Sequence, residues 1–192
     1  GRAPRPVREG SSARRSGMIL AMATAPETPV SRPRDDLFVA LRATVLAVSG
    51  ERLTSLAVFG SWARGTATPE SDLDLLVVAQ TLPPSRMKRV REFRPVEAAT
   101  QTSRSVVWGS HRPAIELAPV FKTPAELAAG SPLYLDMTLW SVVLFDRDHT
   151  LGDYLTGLRA RMEALGSMRK TFKGGVFWDY KPDFRPGEVV EL

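Results

Sequence analysis

The chain contains no cysteine and only two histidines, His111 and His149. The first absence excludes disulfides, thiolate zinc sites and a cysteine nucleophile. Together with the scarcity of imidazole, it leaves oxygen atoms as the donors for any metal. Both histidines sit among turn residues and receive no role. Long apolar runs are missing too. The stretch "MILAMATA", residues 18–25, is at the short end for a signal-peptide core and gives way to polar, proline-bearing sequence. Nothing later approaches a membrane span, and a cytoplasmic protein is the expectation.

With 192 residues the chain can build one sizeable core. Its formal charge of +5 is unevenly placed. Residues 1–34 carry seven arginines (Arg2, Arg5, Arg8, Arg14, Arg15, Arg32, Arg34) against Glu9 and Glu27, and the remainder balances 19 basic with 19 acidic residues. The part able to fold is therefore neutral, and a broad nucleic-acid surface is not indicated. Residues 1–33 are rich in Arg, Pro, Ser and Ala without apolar periodicity, and are expected to form a disordered basic tail. Residues 34–192 are expected to form the domain, with a C-terminal extension.

From Asp35, Leu37, Leu41, Val45 and Val48 fall at helical spacing ahead of Gly50, which predicts a helix ending near Ser49. "TSLAVFG" and "DLDLLVVA" predict buried strands, the second followed by the breaker "TLPPS". "RMKRVREFRPVEAATQ" predicts a helix kinked or split at Pro95. "RSVVWG", "PAIELAPVF" and "SVVLFD" are strand candidates, "TPAELAAG" a capped turn of helix, and "SPLYLDMTLW" a helix begun by Pro132. Leu155, Leu158, Met162 and Leu165 make one stripe of a further helix that stops at Gly166. The aromatic end predicts a short strand and an extended segment, with at least two of Phe177, Trp178 and Tyr180 buried. Strands and helices without a regular βαβ rhythm point to an α/β or α+β class with a mixed sheet flanked by helices.

Chemistry concentrates in "AVFGSWARGTATPESDLDLLVV", residues 57–78. Alternation along a strand puts Asp72, Asp74, Leu76 and Val78 on one face and Leu73, Leu75 and Val77 on the other. Two carboxylates side by side raise each other's proton affinity, a repulsion that a divalent cation relieves. Magnesium fits, because it prefers oxygen and commonly uses one or two carboxylates plus substrate phosphate. The bland alternative has Asp72 closing a turn and Asp74 merely solvated. Gly60 and Ser61 follow a strand directly. Small residues there let backbone amides approach a phosphate, and the serine hydroxyl can donate to it, although a plain turn has the same composition. The Gly-Lys-Ser/Thr ending of a Walker loop is absent.

The full combination is a strand, Gly60-Ser61, ten residues, Asp72-x-Asp74 and an apolar strand. It resembles the signature of the DNA polymerase beta-type nucleotidyltransferase superfamily, in particular its minimal nucleotidyltransferase branch. A weaker similarity in "SPLYLDM", "VVLFDRD" and "FWDYKPDFRPGEVVEL" extends it over roughly residues 35–192. The resemblance implies the nucleotidyltransferase fold, binding of ATP or another nucleoside triphosphate with magnesium, and transfer of a nucleoside monophosphate, AMP above all, to a hydroxyl. It implies Gly60 and Ser61 on the triphosphate and Asp72 and Asp74 on the metals. The superfamily usually carries a third carboxylate on a later strand, as metal ligand or base. Glu116 is the candidate here, where an aspartate is more usual, and an exposed edge glutamate is the alternative.

Arg64 is assigned either to the triphosphate or to an ion pair with Glu70, and Trp62 either to packing or to stacking on a base. Arg169, Lys170 and Lys173 read as a solvated face, with contact to RNA or triphosphate as the alternative, and Asp146 with Asp148 as a strand end and helix cap. The branch also implies a protein acceptor, a small helical HEPN-type toxin paired with the enzyme as antitoxin. RNA ends, aminoglycosides, or a non-catalytic nucleotide-binding module are the alternatives.

Overall fold

The computed structural model describes residues 31–108 and 115–190. The tail expected over 1–33 lies outside these residues up to position 30, as do the first two residues of the strand expected from Pro113. Helix α1 spans Ser31–Ser49, so it begins three residues inside the expected tail, with Pro33 in the first turn where a missing N–H costs nothing. The elements that follow are β1 (Leu53–Val58), α2 (Gly60–Arg64), β2 (Leu73–Ala79), α3 (Arg86–Trp108) and β3 (Leu117–Lys122). After them come α4 (Pro124–Ala128), α5 (Leu133–Met137), β4 (Val142–Asp146), α6 (Thr150–Ala164), β5 (Met168–Phe172) and β6 (Gly175–Asp179).

Four strands form one mixed sheet in the order β3-β2-β1-β4. β1 is antiparallel to β2 and β4, while β2 and β3 run parallel. The two sheet faces separate as alternation requires. Leu73, Leu75 and Val77 join Leu37, Phe38, Leu41 and Val45 of α1 and Phe93 and Val96 of α3 in one core. Leu76 and Val78 pack on the opposite side with Leu127 of α4, Tyr134, Leu135 and Met137 of α5, and Leu151, Leu155, Leu158 and Met162 of α6. The mixed sheet between two helical layers is the expected class. Among the described residues no helix is long and apolar enough to cross a membrane.

Two local expectations are corrected. The segment expected as the strand "RSVVWG" is the end of α3, which runs unbroken through Pro95 to Trp108. A run of three apolar residues, Val106 to Trp108, has no period long enough to separate strand from helix. Pro95, expected to kink or split the helix, removes one backbone donor, and buried Phe93 and Val96 hold the chain on either side of it. The second correction concerns residues 168–179. The basic stretch there is β5, paired antiparallel with β6 through a turn at Lys173 and Gly174, both at positive φ (49° and 78°). Two left-handed residues in the loop match the twist of the flanking strands. This hairpin leaves Phe177 48% and Tyr180 37% exposed. Only Trp178 of the three aromatics is drawn partly into a core, so the expected burial of two does not hold.

Thr123 and Glu126 form a reciprocal capping box at α4, with Thr123 N donating to Glu126 Oε2 at 2.8 Å. Asp146 ends β4 and caps α6. Its carboxylate accepts from Leu151 N at 3.0 Å, Gly152 N at 2.9 Å and the Ser55 hydroxyl at 2.7 Å. Asp146→Ala strips the helix of two acceptors and strands a buried serine hydroxyl. We expect a loss of about 2 kcal/mol, read as a melting temperature lower by roughly 4–8 °C, with the fold retained by circular dichroism.

Candidate active site

The turn after β1 is built around glycine geometry. Phe59 N donates to Asp74 O at 3.1 Å, which ties the end of β1 to the entry of β2. Gly60 then takes φ +69°, a left-handed value that side-chain-bearing residues rarely adopt. Space makes the same demand. A Cβ at Gly60 would overlap Asp74 Oδ2 and stand 2.9 Å from Asp74 Cγ. The Asp74 carboxylate therefore lies directly against the bare Cα of Gly60.

Ser61 and Arg64 sit on the single turn of helix that follows, with Thr66 N donating to Ser61 O at 2.9 Å. Trp62 is 3% exposed, its ring centroid 6.5 Å from that of Phe38, and its Nε1 donates to Ser71 O at 3.5 Å. It fastens the loop to α1 as a packing residue, and its ring does not face the site. Thr68 N donates to the Ser71 hydroxyl at 2.9 Å, closing a turn just ahead of Asp72.

Asp72 and Asp74 open at the end of the sheet, on the face that becomes apolar at Leu76. Burial first, and the neighbouring Asp72 charge second, raise the proton affinity of Asp74, while Arg64 opposes them. The repulsion read from spacing is thus present in the fold. Oxygen donors held side by side, with the ionised form of one disfavoured by burial and by its neighbour, suit a hard divalent cation.

On the neighbouring parallel strand, Asp74 is level with Ala118, and Leu73 N donates to Glu116 O at 2.8 Å. Glu116 therefore stands beside Asp72 at the same end of the sheet. Ile115 and Leu117 around it are buried and Glu116 itself is exposed, as alternation predicts. Among the described residues no three His, Asp or Glu side chains gather closely enough to hold a metal ion. The aspartate pair comes together, whereas Glu116 is brought beside it by strand register alone and completes no three-carboxylate cluster among the described residues.

Arg64 meets a residue that the sequence did not single out. Its Nη1 lies 3.8 Å from Oδ2 of Asp136 on α5. The other Asp136 oxygen accepts from Trp178 Nε1 at 2.8 Å and Arg169 Nε at 3.2 Å. No spacing rule links residues 64, 136, 169 and 178, so only folding brings them together.

A family model, "Nucleotidyltransferase domain", matches residues 44–107, a span that holds Gly60, Ser61, Arg64, Asp72 and Asp74 and stops short of Glu116. A solved toxin–antitoxin complex with AMP-PNP aligns over 68% of this chain and 93% of its own at 16% identity and a TM-score of 0.39. A complex of a tri-AMPylated HEPN toxin with MNT antitoxin from Shewanella oneidensis aligns over 70% and 93% at 14% identity and a TM-score of 0.33. At that distance neither bears on the assignment. A curated relative from Methanocaldococcus jannaschii, named "Putative protein adenylyltransferase", is 33% identical over 112 residues, which cover 57% of this chain and 70% of the relative. Identity at that level over so much of the relative, together with the domain match across the glycine turn and the aspartate pair, places this chain in the nucleotidyltransferase family, as an enzyme of nucleotidyl transfer.

Proposed function

We propose that the chain moves AMP from ATP onto a hydroxyl of an acceptor protein, in a magnesium-dependent reaction at Asp72 and Asp74. The observation that carries this reading is the contact between Gly60 and the Asp74 carboxylate. It sets the phosphate-binding turn and the metal-binding pair side by side, where a triphosphate would need both.

Asp72 and Asp74 would hold the magnesium, which when bound supplies Lewis-acid stabilisation of charge on the phosphate oxygens. Gly60 and Ser61 would seat the β- and γ-phosphates, and the Arg64 guanidinium would offset their charge. The acceptor hydroxyl oxygen forms a bond to the α-phosphorus, the bond from that phosphorus to the pyrophosphate oxygen breaks, and pyrophosphate leaves. The hydroxyl proton passes to Glu116, the exposed carboxylate beside the pair.

Two features support a protein acceptor. The region beyond residue 34 carries no net charge to attract RNA, and the M. jannaschii relative bears the name of a protein adenylyltransferase. A helical HEPN-type toxin is the partner suggested by the resemblance of the 57–78 signature to antitoxin-type enzymes. The test is incubation with labelled ATP, magnesium and such a toxin, with tRNA and aminoglycosides as competitors. Label on the protein supports the proposal. Label on RNA or antibiotic alone would overturn the choice of acceptor, and label nowhere would favour a binding module.

Glu116→Gln keeps the shape of the side chain and removes its charge. We expect turnover to fall by roughly 10²- to 10³-fold with the melting temperature unchanged, because an exposed carboxylate contributes little packing. Unchanged turnover would return Glu116 to an ordinary surface role.

A further inference from the structure

Arg169 of β5 and Trp178 of β6 are cross-strand partners, so their side chains leave the hairpin from the same face. Both reach Oδ1 of Asp136. The Arg169 guanidinium also lies over the Trp140 ring, 4.8 Å from its centroid. Across the strands of the same hairpin, Lys170 and Asp179 pair at 2.6 Å. The hairpin thus neutralises its other ion pair internally and sends Arg169 outward to α5.

Asp136 stands between two guanidinium groups, Arg169 on one oxygen and Arg64 on the other at 3.8 Å. One carboxylate cannot neutralise two cations. Arg169 turns Nε to Asp136 and its flat face to Trp140, and among the described residues the terminal nitrogens of its fork are left for another acceptor. Arg64 makes a long contact, 3.8 Å, to the same carboxylate. It lies on the turn that begins at Gly60, and its charge reaches Asp74. The two guanidinium groups therefore flank one carboxylate beside the Gly60 turn, where the triphosphate would enter.

We propose that the C-terminal hairpin is a wall of the nucleotide site, with Arg169 binding the β- and γ-phosphates beside Arg64 and Asp136 acting as the positioning residue that aligns the two guanidinium groups. This inference rests on the nucleotide reading of Gly60, Ser61 and the aspartate pair. A guanidinium stacked on an indole and bonded through Nε loses little further freedom when its fork takes up phosphate oxygens, so the site is prepared before nucleotide arrives. Docking the hairpin would require only the Trp178 bond, whereas delivering a second cation requires Arg169.

The test is calorimetric binding of an imido analogue of ATP, and of AMP, to the full chain with magnesium. Arg169→Gln is expected to weaken the triphosphate analogue about tenfold and AMP less than twofold, with Arg169→Lys recovering part of the loss. Equal losses for both nucleotides would show a structural role and overturn the proposal, as would unchanged triphosphate binding. If Arg169→Gln does not fold, Trp178→Phe decides. It loosens the hairpin's hold on Asp136 and is expected to weaken the triphosphate analogue threefold or more while sparing AMP; no selective loss overturns the proposal. A wild-type chain that binds AMP and the analogue equally well contradicts the phosphate wall alone, whereas one that binds neither contradicts the nucleotide reading beneath it.

Discussion

Asp72→Asn and Asp74→Asn are each expected to lower nucleotidyl transfer by about 1,000-fold or more while leaving the fold intact, measured with labelled ATP and magnesium against melting temperature. The two halves of that expectation have one cause. The pair concentrates negative charge at the sheet end, which a cation requires and the empty fold resists. The raised proton affinity of Asp74 gives the sign of the stability effect. A carboxyl group with its pKa raised on folding favours the folded state below its ordinary range and disfavours it once pH passes the raised value. Above the raised value the ionised carboxylate is held against that preference, so in chelator-treated protein at such a pH Asp74→Asn should melt no lower than wild type. At a pH below the ordinary aspartate value the advantage of the variant should vanish. Full transfer by both variants would sink the metal-site reading.

Gly60→Ala is expected to be nearly as damaging, and Gly65→Ala supplies its control. The two glycines have almost the same left-handed backbone, φ +69° and +73°. Alanine at either position meets a similar backbone penalty, of order 1 kcal/mol. Their surroundings differ. A Cβ at Gly65 has nothing within 4 Å, whereas at Gly60 it meets Oδ2, Cγ and Cβ of Asp74. The carboxylate would have to swing away, taking the proposed metal ligand with it. We expect Gly60→Ala to lose about 100-fold or more in transfer and Gly65→Ala only a few-fold, with melting temperatures lowered to a similar extent. Equal losses of activity would mean that backbone strain, and not the Gly60–Asp74 contact, governs the site.

Much of this protein could be read from local order along the chain. Alternation at residues 72–78 assigned each side chain to its sheet face, because a strand has a period of two whatever surrounds it. Acceptors at Thr123 and Asp146 marked helix caps, because a helix start needs acceptors for its first amides. The same reading failed at residues 104–108, where three apolar residues fit strand and helix alike, and at the Lys173-Gly174 turn, which a basic composition disguised.

The relation of Asp136 to Arg64, Arg169 and Trp178 lies beyond any such reading. Arg64, Arg169 and Trp178 each carry a local reading of their own, and none of those readings points to Asp136 on its short helix. Sequence by itself named the candidate groups at residues 60–74 and the faces from which they project, since both depend on covalent geometry and near neighbours. Tertiary structure alone decided that Asp74 rests on Gly60, that Glu116 stands beside Asp72, and that one carboxylate gathers two arginines from elements about a hundred residues apart. Those distances come from the order of strands in the sheet and the docking of α5 and the hairpin on its face. Strand order and docking are set by burial summed over the whole core, a quantity that no single segment of the chain carries.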